Sequence, residues 1–217
     1  MNGIKTSFEE VCRLKDEEFS KLSSEVTSLK EQIVKLEEKI DENDQYERRD
    51  TLIISGPNLP LVTADENCAE IVRKIAQDKL QYILAPTDIS VAHRLGPKPT
   101  SQRPDKRKII VKFCRRNTKV DLLGAARRMK PENIFINESL TPQRQTILFA
   151  LRRAKKECPR VISGSSTSDG RVYVWVKPQD SMNNSRDTRL LVNSLTKLEE
   201  FCQQTLGKPM NYFLRDV

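Results

Sequence analysis

Residues 6–46 contain neither proline nor glycine, and apolar residues recur there at alternating spacings of four and three: Leu22, Val26, Leu29, Ile33, Leu36, Ile40. Such a stripe follows one seam of a helix and needs a partner, either a second helix or the body of its own chain. The heptad places Val26, Ile33 and Ile40 at a, and Leu22, Leu29 and Leu36 at d. Phe19 extends the a series and Phe8 the d series, while Cys12 and Lys15 fit less well, so the first turns are expected to be looser. In a parallel pair, a g residue faces the partner's e residue five positions on. Glu25 then meets Lys30, Lys39 meets Asp44, and Gln32 meets Glu37. Two of these three pairs are opposite in charge, which favours a parallel coiled coil of about 60 Å. Branched a residues with leucine at d favour two strands, and Asn43 at a d position helps set the register.

The charge is divided along the chain. Residues 1–47 carry 7 Lys+Arg against 13 Asp+Glu, whereas residues 48–217 carry 31 against 17. An acidic spacer joined to a body of net charge +14 suits a polyanion as partner.

After the coil, hydrophobic patterning changes. Thr51–Ser55 reads as a strand stopped by Gly56-Pro57, and Thr63 with Glu66 reads as a capping box for a helix bearing Cys68, Ile71, Val72, Ile75 and Leu80 on one face. Asp88–Leu95 is a second strand, GPKPTSQRPDKR a basic Pro-rich loop, and Lys108–Cys114 a third strand. Thr118–Met129 is a helix with Leu122, Leu123, Ala126 and Met129 inward, and Ile134–Ile136 is a short fourth strand. The order βαββαβ is the ferredoxin-like arrangement of RNA-recognition (RRM) modules. The octamer KRKIIVKF, Lys106–Phe113, resembles the RRM signature at Lys106, Val111 and Phe113. Lys108 and Ile110 stand where that signature has base-stacking aromatics.

Thr141 and Pro142 open a further helix lined by Ile147, Leu151, Ala154 and Cys158, and Pro159 stops it. Arg160–Ser163 and Arg171–Lys177 read as strands around GSSTSDG, taken as a flexible connection, and Asp187–Leu206 reads as the last helix. The expected fold is therefore α+β in three parts: coiled coil 1–47, RRM-like domain 48–138, and a small α+β domain 139–217 that leans on its neighbour.

RRDTLIISG after a coiled coil, followed by IIVKFCRRNTKVDLLGAARRMK, resembles the first-open-reading-frame protein of LINE-type retrotransposons. The matching residues are Arg48, Arg49, the loop Arg103–Lys108, and Ala125-Ala126-Arg127. NESLTP with its helix, and DGRVYVWVKP, also resemble the C-terminal domain of the baculovirus FP (few polyhedra) proteins. The resemblance implies a self-associating, single-strand RNA- or DNA-binding nucleic-acid chaperone that coats element RNA in a ribonucleoprotein particle. It implies parallel trimers, where the heptad alone leans to dimers, and nucleic acid lying across both domains. The family's polar first-strand residues are replaced here by Thr51 and Ile53, and its arginine pair in the last domain lies one turn on, at Arg152 and Arg153.

Cations on phosphates supply most of the affinity for nucleic acid. The candidates are Arg103, Lys106, Arg107 and Lys108; Arg115, Arg116, Arg127 and Arg128; Arg48 and Arg49; and Arg152, Arg153, Lys155 and Lys156. In Arg171–Lys177, alternation puts Val172, Val174 and Val176 on one face, and Arg171, Tyr173, Trp175 and Lys177 on the other. Those two aromatics either stack bases or pack beneath the last helix.

No enzyme is expected: the one histidine, His93, has no catalytic company, and no GxxxxGK[ST] loop occurs. The five scattered cysteines lack metal-site spacing, so no cofactor or metal is expected; they are read as reduced, buried thiols of an intracellular, cytoplasmic protein, with nuclear access open. No apolar run suits a membrane span, and MNGIKTSFEEVCRLK lacks a signal-peptide core. The rival reading is a coiled-coil adaptor or viral assembly factor of FP type.

Overall fold

The computed structural model describes residues 2–63, 65–97, 106–178 and 186–214, without the side chains of 2–9 and 12. The chain divides into two units, Met1–Asn43 and Asp44–Val217. Helix α1 spans Asn2–Glu47, and its last residues belong to the second unit. Along the first unit, the seam residues Leu22, Val26, Leu29, Ile33, Leu36 and Ile40 are between 47% and 60% exposed. An apolar stripe that open has no packing partner within the described residues of the first unit. Arg13 pairs with Glu10 and Glu17, and Lys15 with Glu18, at 2.5–2.9 Å. Exposed pairs of this spacing add only a few tenths of a kcal/mol each.

The second unit holds two cores. The first is built from β1 (Thr51–Ser55), α2 (Cys68–Leu80), β2 (Ile89–Arg94), β3 (Ile109–Phe113), α3 (Arg116–Met129) and β4 (Phe135–Glu138). The strands form one antiparallel sheet in the order β2-β3-β1-β4. Alternation sends Leu52, Ile54, Ile109, Val111 and Phe113 to one face, where they bury against Val72, Ile75 and Ala76 of α2 and Leu122, Leu123 and Ala126 of α3. The other face carries Ile53, Ser55, Ile110 and Lys112. Gly56 ends β1 with φ +137°, and a Cβ there would lie 2.1 Å from the Asn133 carbonyl oxygen, so only glycine fits.

Three local expectations change here. The cap of α2 is Asn67, whose Oδ1 accepts from the Ala69 and Glu70 amides at 3.0 and 3.3 Å, not Thr63. Glu66 is drawn instead to Arg94 of β2, with Arg94 Nη2 2.8 Å from its Oε2. That guanidinium holds the Glu66 carboxyl below its ordinary range. Helix α3 starts at Arg116, and Met129 is 44% exposed because Ala125 and Ala126 fill the buried position of its last turns.

The second core contains α4 (Pro142–Glu157), β5 (Ile162–Ser168), β6 (Arg171–Val176), β7 (Thr188–Leu191), α5 (Leu195–Leu206) and α6 (Met210–Leu214). Thr141 caps α4, its hydroxyl accepting from the Arg144 amide. The sheet order is β5-β6-β7, all antiparallel. Ile162, Val172, Val174 and Val192 bury against Ile147, Leu151, Leu198, Phe201 and Phe213. GSSTS is a strand, not a flexible connection: it pairs along β6, and only Asp169-Gly170 turns the chain. Both turn residues have positive φ, 52° and 73°, as a two-residue Asp-Gly hairpin requires. The helix expected over 187–206 is α5, shorter because Thr188–Leu191 pairs with β6 and Ser194 caps it through the Lys197 amide, and it is not the last, since α6 follows beyond Gly207.

The Asp169-Gly170 turn is the point where the two cores meet. Lys119 of α3, 1% exposed, reaches Glu138 of β4 at 2.5 Å and Asp169 at 3.9 Å. Arg116 pairs with Asp169 at 3.0 Å. The Gly170 amide donates to Glu138 Oε2 at 3.4 Å, and Arg144 Nη1 donates to the Gly170 carbonyl at 3.0 Å. Gln45, from the last turn of α1, donates to the Ser139 carbonyl at 2.9 Å and accepts from the Thr141 amide at 3.0 Å. The connecting residues Glu138, Ser139, Leu140 and Thr141 are all buried.

Candidate nucleic-acid interface

The open face of the four-stranded sheet and helix α4 border a cleft lined by Ile53, Ser55, Lys108, Asn137, Gln145, Leu148, Phe149 and Arg152, with Leu140, Thr167 and Glu138, the last paired to Lys119, completing the lining. The pleat of β1 aims Ile53 outward, its neighbours Leu52 and Ile54 being committed to the core, and Lys108, exposed, immediately precedes the buried Ile109 that begins β3. Cross-strand pairing sets His93, Ile110, Ile53 and Asn137 in one row. The rings on this face stand on its two outer strands, the exposed His93 imidazole of β2 and Phe135 of β4, which is paired with Ser55 and 55% exposed; the central strands carry none. Phe149, 58% exposed, adds a ring from α4. Lys108 and Arg152 have no ion pair or side-chain hydrogen bond among the described residues, and neither has Lys112, which shares the sheet face. Two such cations beside Ile53, Leu148 and Phe149, with Ser55, Asn137 and Gln145 as hydrogen-bonding neighbours, suit phosphate contacts with a base lying between.

The other candidates divide. Lys106 donates to the Pro57 carbonyl at 2.5 Å and Arg107 to the Gly96 carbonyl at 2.6 Å, so both help hold the approach to β3. Arg116 and Arg127 are turned toward the second core: Arg116 to Asp169, and Arg127 to the Thr167 carbonyl at 2.8 Å. Arg49 lies over the Tyr46 ring at 3.8 Å and touches Asp50 at 3.4 Å, while Arg48 is exposed. Arg153 pairs with Glu157 at 3.1 Å; Arg115, Arg128, Lys155 and Lys156 are exposed. Arg103 lies outside the described residues. The structure therefore gathers Lys108 and Arg152 at one cleft, and gives Arg116 and Arg127 contacts that join the cores.

The aromatic pair of β6 lies away from the helices. Val172 and Val174 are fully buried, whereas Tyr173 and Trp175 sit half-buried on the opposite face. The alternative of packing beneath the last helix is not what the chain adopts. Trp175 stands opposite Gly164 and Tyr173 opposite Ser166, so small residues of β5 leave both rings room. Trp175 Nε1 donates to Ser166 Oγ at 3.4 Å. Lys177 donates to the Pro159 carbonyl at 2.8 Å, and Arg171 is exposed at the turn. Arg189 of β7, which the reading of residues 187–206 as one helix concealed, lies across the pair: its guanidinium carbon is 3.5 Å from the Tyr173 ring centre and 5.6 Å from that of Trp175.

Of the described thiols, Cys68 and Cys202 are buried, Cys158 is partly buried, and Cys114 is exposed, contrary to the expectation for all five. Burial, with Cys158 and Glu199 nearby, pushes the Cys202 thiol up to about 11, which makes it a poor nucleophile. Among the described residues no cluster of His, Cys, Asp and Glu could hold a metal ion, and no helix is long and apolar enough to cross a membrane. Comparison with protein-family models and with curated proteins yields no significant match for this chain.

Proposed function

We propose that this chain is an oligomeric binder of single-stranded RNA or DNA, built on an RRM-like domain and a C-terminal domain, which acts as a nucleic-acid chaperone and coats retroelement RNA in a ribonucleoprotein particle. The observation that carries this reading is the cleft between the sheet and α4, where Lys108 and Arg152, without an ion pair among the described residues, line the same space as Ile53 and Phe149. The βαββαβ order and the strand order β2-β3-β1-β4 agree with an RRM-like domain. The two central strands of that sheet carry no aromatic ring, His93 and Phe135 standing on the outer ones, so the strand crosses from the sheet to Phe149 of α4 rather than lying on the sheet alone. The exposed heptad seam supports self-association, and joining several weak sites favours long strands over short ones by effective concentration. A duplex, whose bases are buried in their stack, offers fewer contacts.

The test is a salt titration of a long single-stranded RNA against the full chain, with light scattering on the same sample. Log affinity should fall with log salt at a slope of about −0.7 per phosphate contacted. A K108Q/R152Q variant should bind about tenfold more weakly, with the slope shallower by roughly 1.4. Absence of binding at low salt would reject the reading and leave the adaptor of FP type in its place. Light scattering separates the dimer that the heptad favours from the trimer that the resemblance implies.

A further inference from the structure

We propose that Arg189 is the residue on which a nucleobase stacks, its guanidinium plane backed by Tyr173 and Trp175. This inference rests on the single-strand binding proposed above and names a second contact surface for the same ligand. At 3.5 Å from the ring centre, the Arg189 guanidinium is in van der Waals contact with the Tyr173 face. That face is therefore covered, and an incoming base cannot use it. What remains open is the outer face of the guanidinium, since Arg189 and the whole of β7 are exposed. No carboxylate pairs with Arg189 among the described residues, so its charge is available to a ligand. Bases stack on planar guanidinium groups as they do on aromatic rings, and the rim of N–H donors can meet the adjoining phosphate.

The fold prepares this arrangement. Register places Arg189 directly opposite Trp175, and Leu191 opposite Tyr173. Across β6 the neighbours are Gly164 and Ser166, which raise no wall beside the rings. The aromatic pair limits the rotamers of a long side chain, so less ordering entropy remains to be lost on binding. The ligand class is a single-stranded polynucleotide read through its base plane and its phosphate, without discrimination among bases.

Arg189→Lys tests the plane, because it retains the charge and loses the stack. The probes are two strands of equal length, a mixed-sequence RNA and a fully abasic strand with the same phosphates. On the base-bearing strand, R189K should bind about tenfold more weakly than wild type, with an unchanged salt slope. On the abasic strand the two should bind alike. Arg189→Gln should weaken both strands and make the slope shallower by about 0.7. Emission of the sole tryptophan, Trp175, checks that the face stays folded. If R189K matches wild type on the base-bearing strand, this inference is wrong while single-strand binding stands. If wild type binds neither strand at low salt, both fall together.

Discussion

Replacing Glu138 by glutamine should be among the most damaging single-atom changes in residues 44–217. Glu138 is 6% exposed and is the close partner of Lys119, itself 1% exposed. Removing one member of a buried pair leaves the other charge without compensation and typically costs about 3–5 kcal/mol. Asp169 remains 3.9 Å from the Lys119 ammonium, but its side chain is 43% exposed and solvent weakens its help. The lower end, about 3 kcal/mol, is therefore expected. With a urea slope of about 2 kcal/mol/M, the unfolding midpoint should fall by about 1.5 M. Trp175 fluorescence follows the transition from the open face of the second sheet. A Lys119→Met, Glu138→Leu double variant removes both charges and keeps the volume, so it should recover to within about 1 kcal/mol of wild type. The residual deficit comes from the Gly170 amide, which then loses its acceptor. A loss below about 1 kcal/mol for E138Q, or a double variant as unstable as the single one, would refute the assignment of this pair.

Two further outcomes follow from the same geometry. Glu66→Gln should lower stability at neutral pH by about 3 kcal/mol, since Arg94 is 4% exposed at its side chain and would keep a buried charge. The folded-state Glu66 titrates below its ordinary value, so its contribution is present above the unfolded carboxylate range and is lost as pH falls through the folded value. The gap between wild type and E66Q in chemical denaturation should thus close below about pH 4. Gly170→Ala should cost about 1–3 kcal/mol: φ is +73°, and the added Cβ would lie 2.4 Å from Gln45 Nε2. Gln45 cannot swing aside without releasing Ser139 and Thr141, and thermal unfolding of G170A against wild type measures the loss.

Much of the architecture was legible because hydrophobic period is a local signal. The long N-terminal helix, the six elements of the first core and the start of α4 at Thr141-Pro142 follow from spacings of 3.5, 3.6 and 2 and from turn residues. The errors have a common cause, which is that a neighbouring strand or charge decided the outcome. GSSTS looks like a loop by composition, yet β6 supplies its hydrogen-bond partners and lets a small-residue segment become a strand. Thr188–Leu191 reads as the start of a helix until the edge of β6 captures it, and Arg189 was hidden with it. Glu66 fits a capping box, but a buried arginine 28 residues on competes for the carboxylate more strongly than a backbone amide does. Clusters of cations in sequence likewise say nothing about orientation: Arg115 and Arg116 are adjacent, and only Arg116 meets a carboxylate among the described residues. The Asp-Gly hairpin turn was a readable signal that composition obscured.

The buried bridge Glu138–Thr141 has a consequence for how this protein can be divided. A boundary drawn between residues 138 and 139 looks natural on the page, with one core on either side. In the folded chain it cuts through the set of contacts held by Lys119, Gly170 and Gln45. A fragment beginning at 139 would lack the acceptor of the Gly170 amide, and one ending at 138 would leave Gln45 without its two backbone partners. Proteases should find no early cleavage site there, and the smallest heritable or expressible piece that retains these contacts runs from the last turn of α1 through the second core.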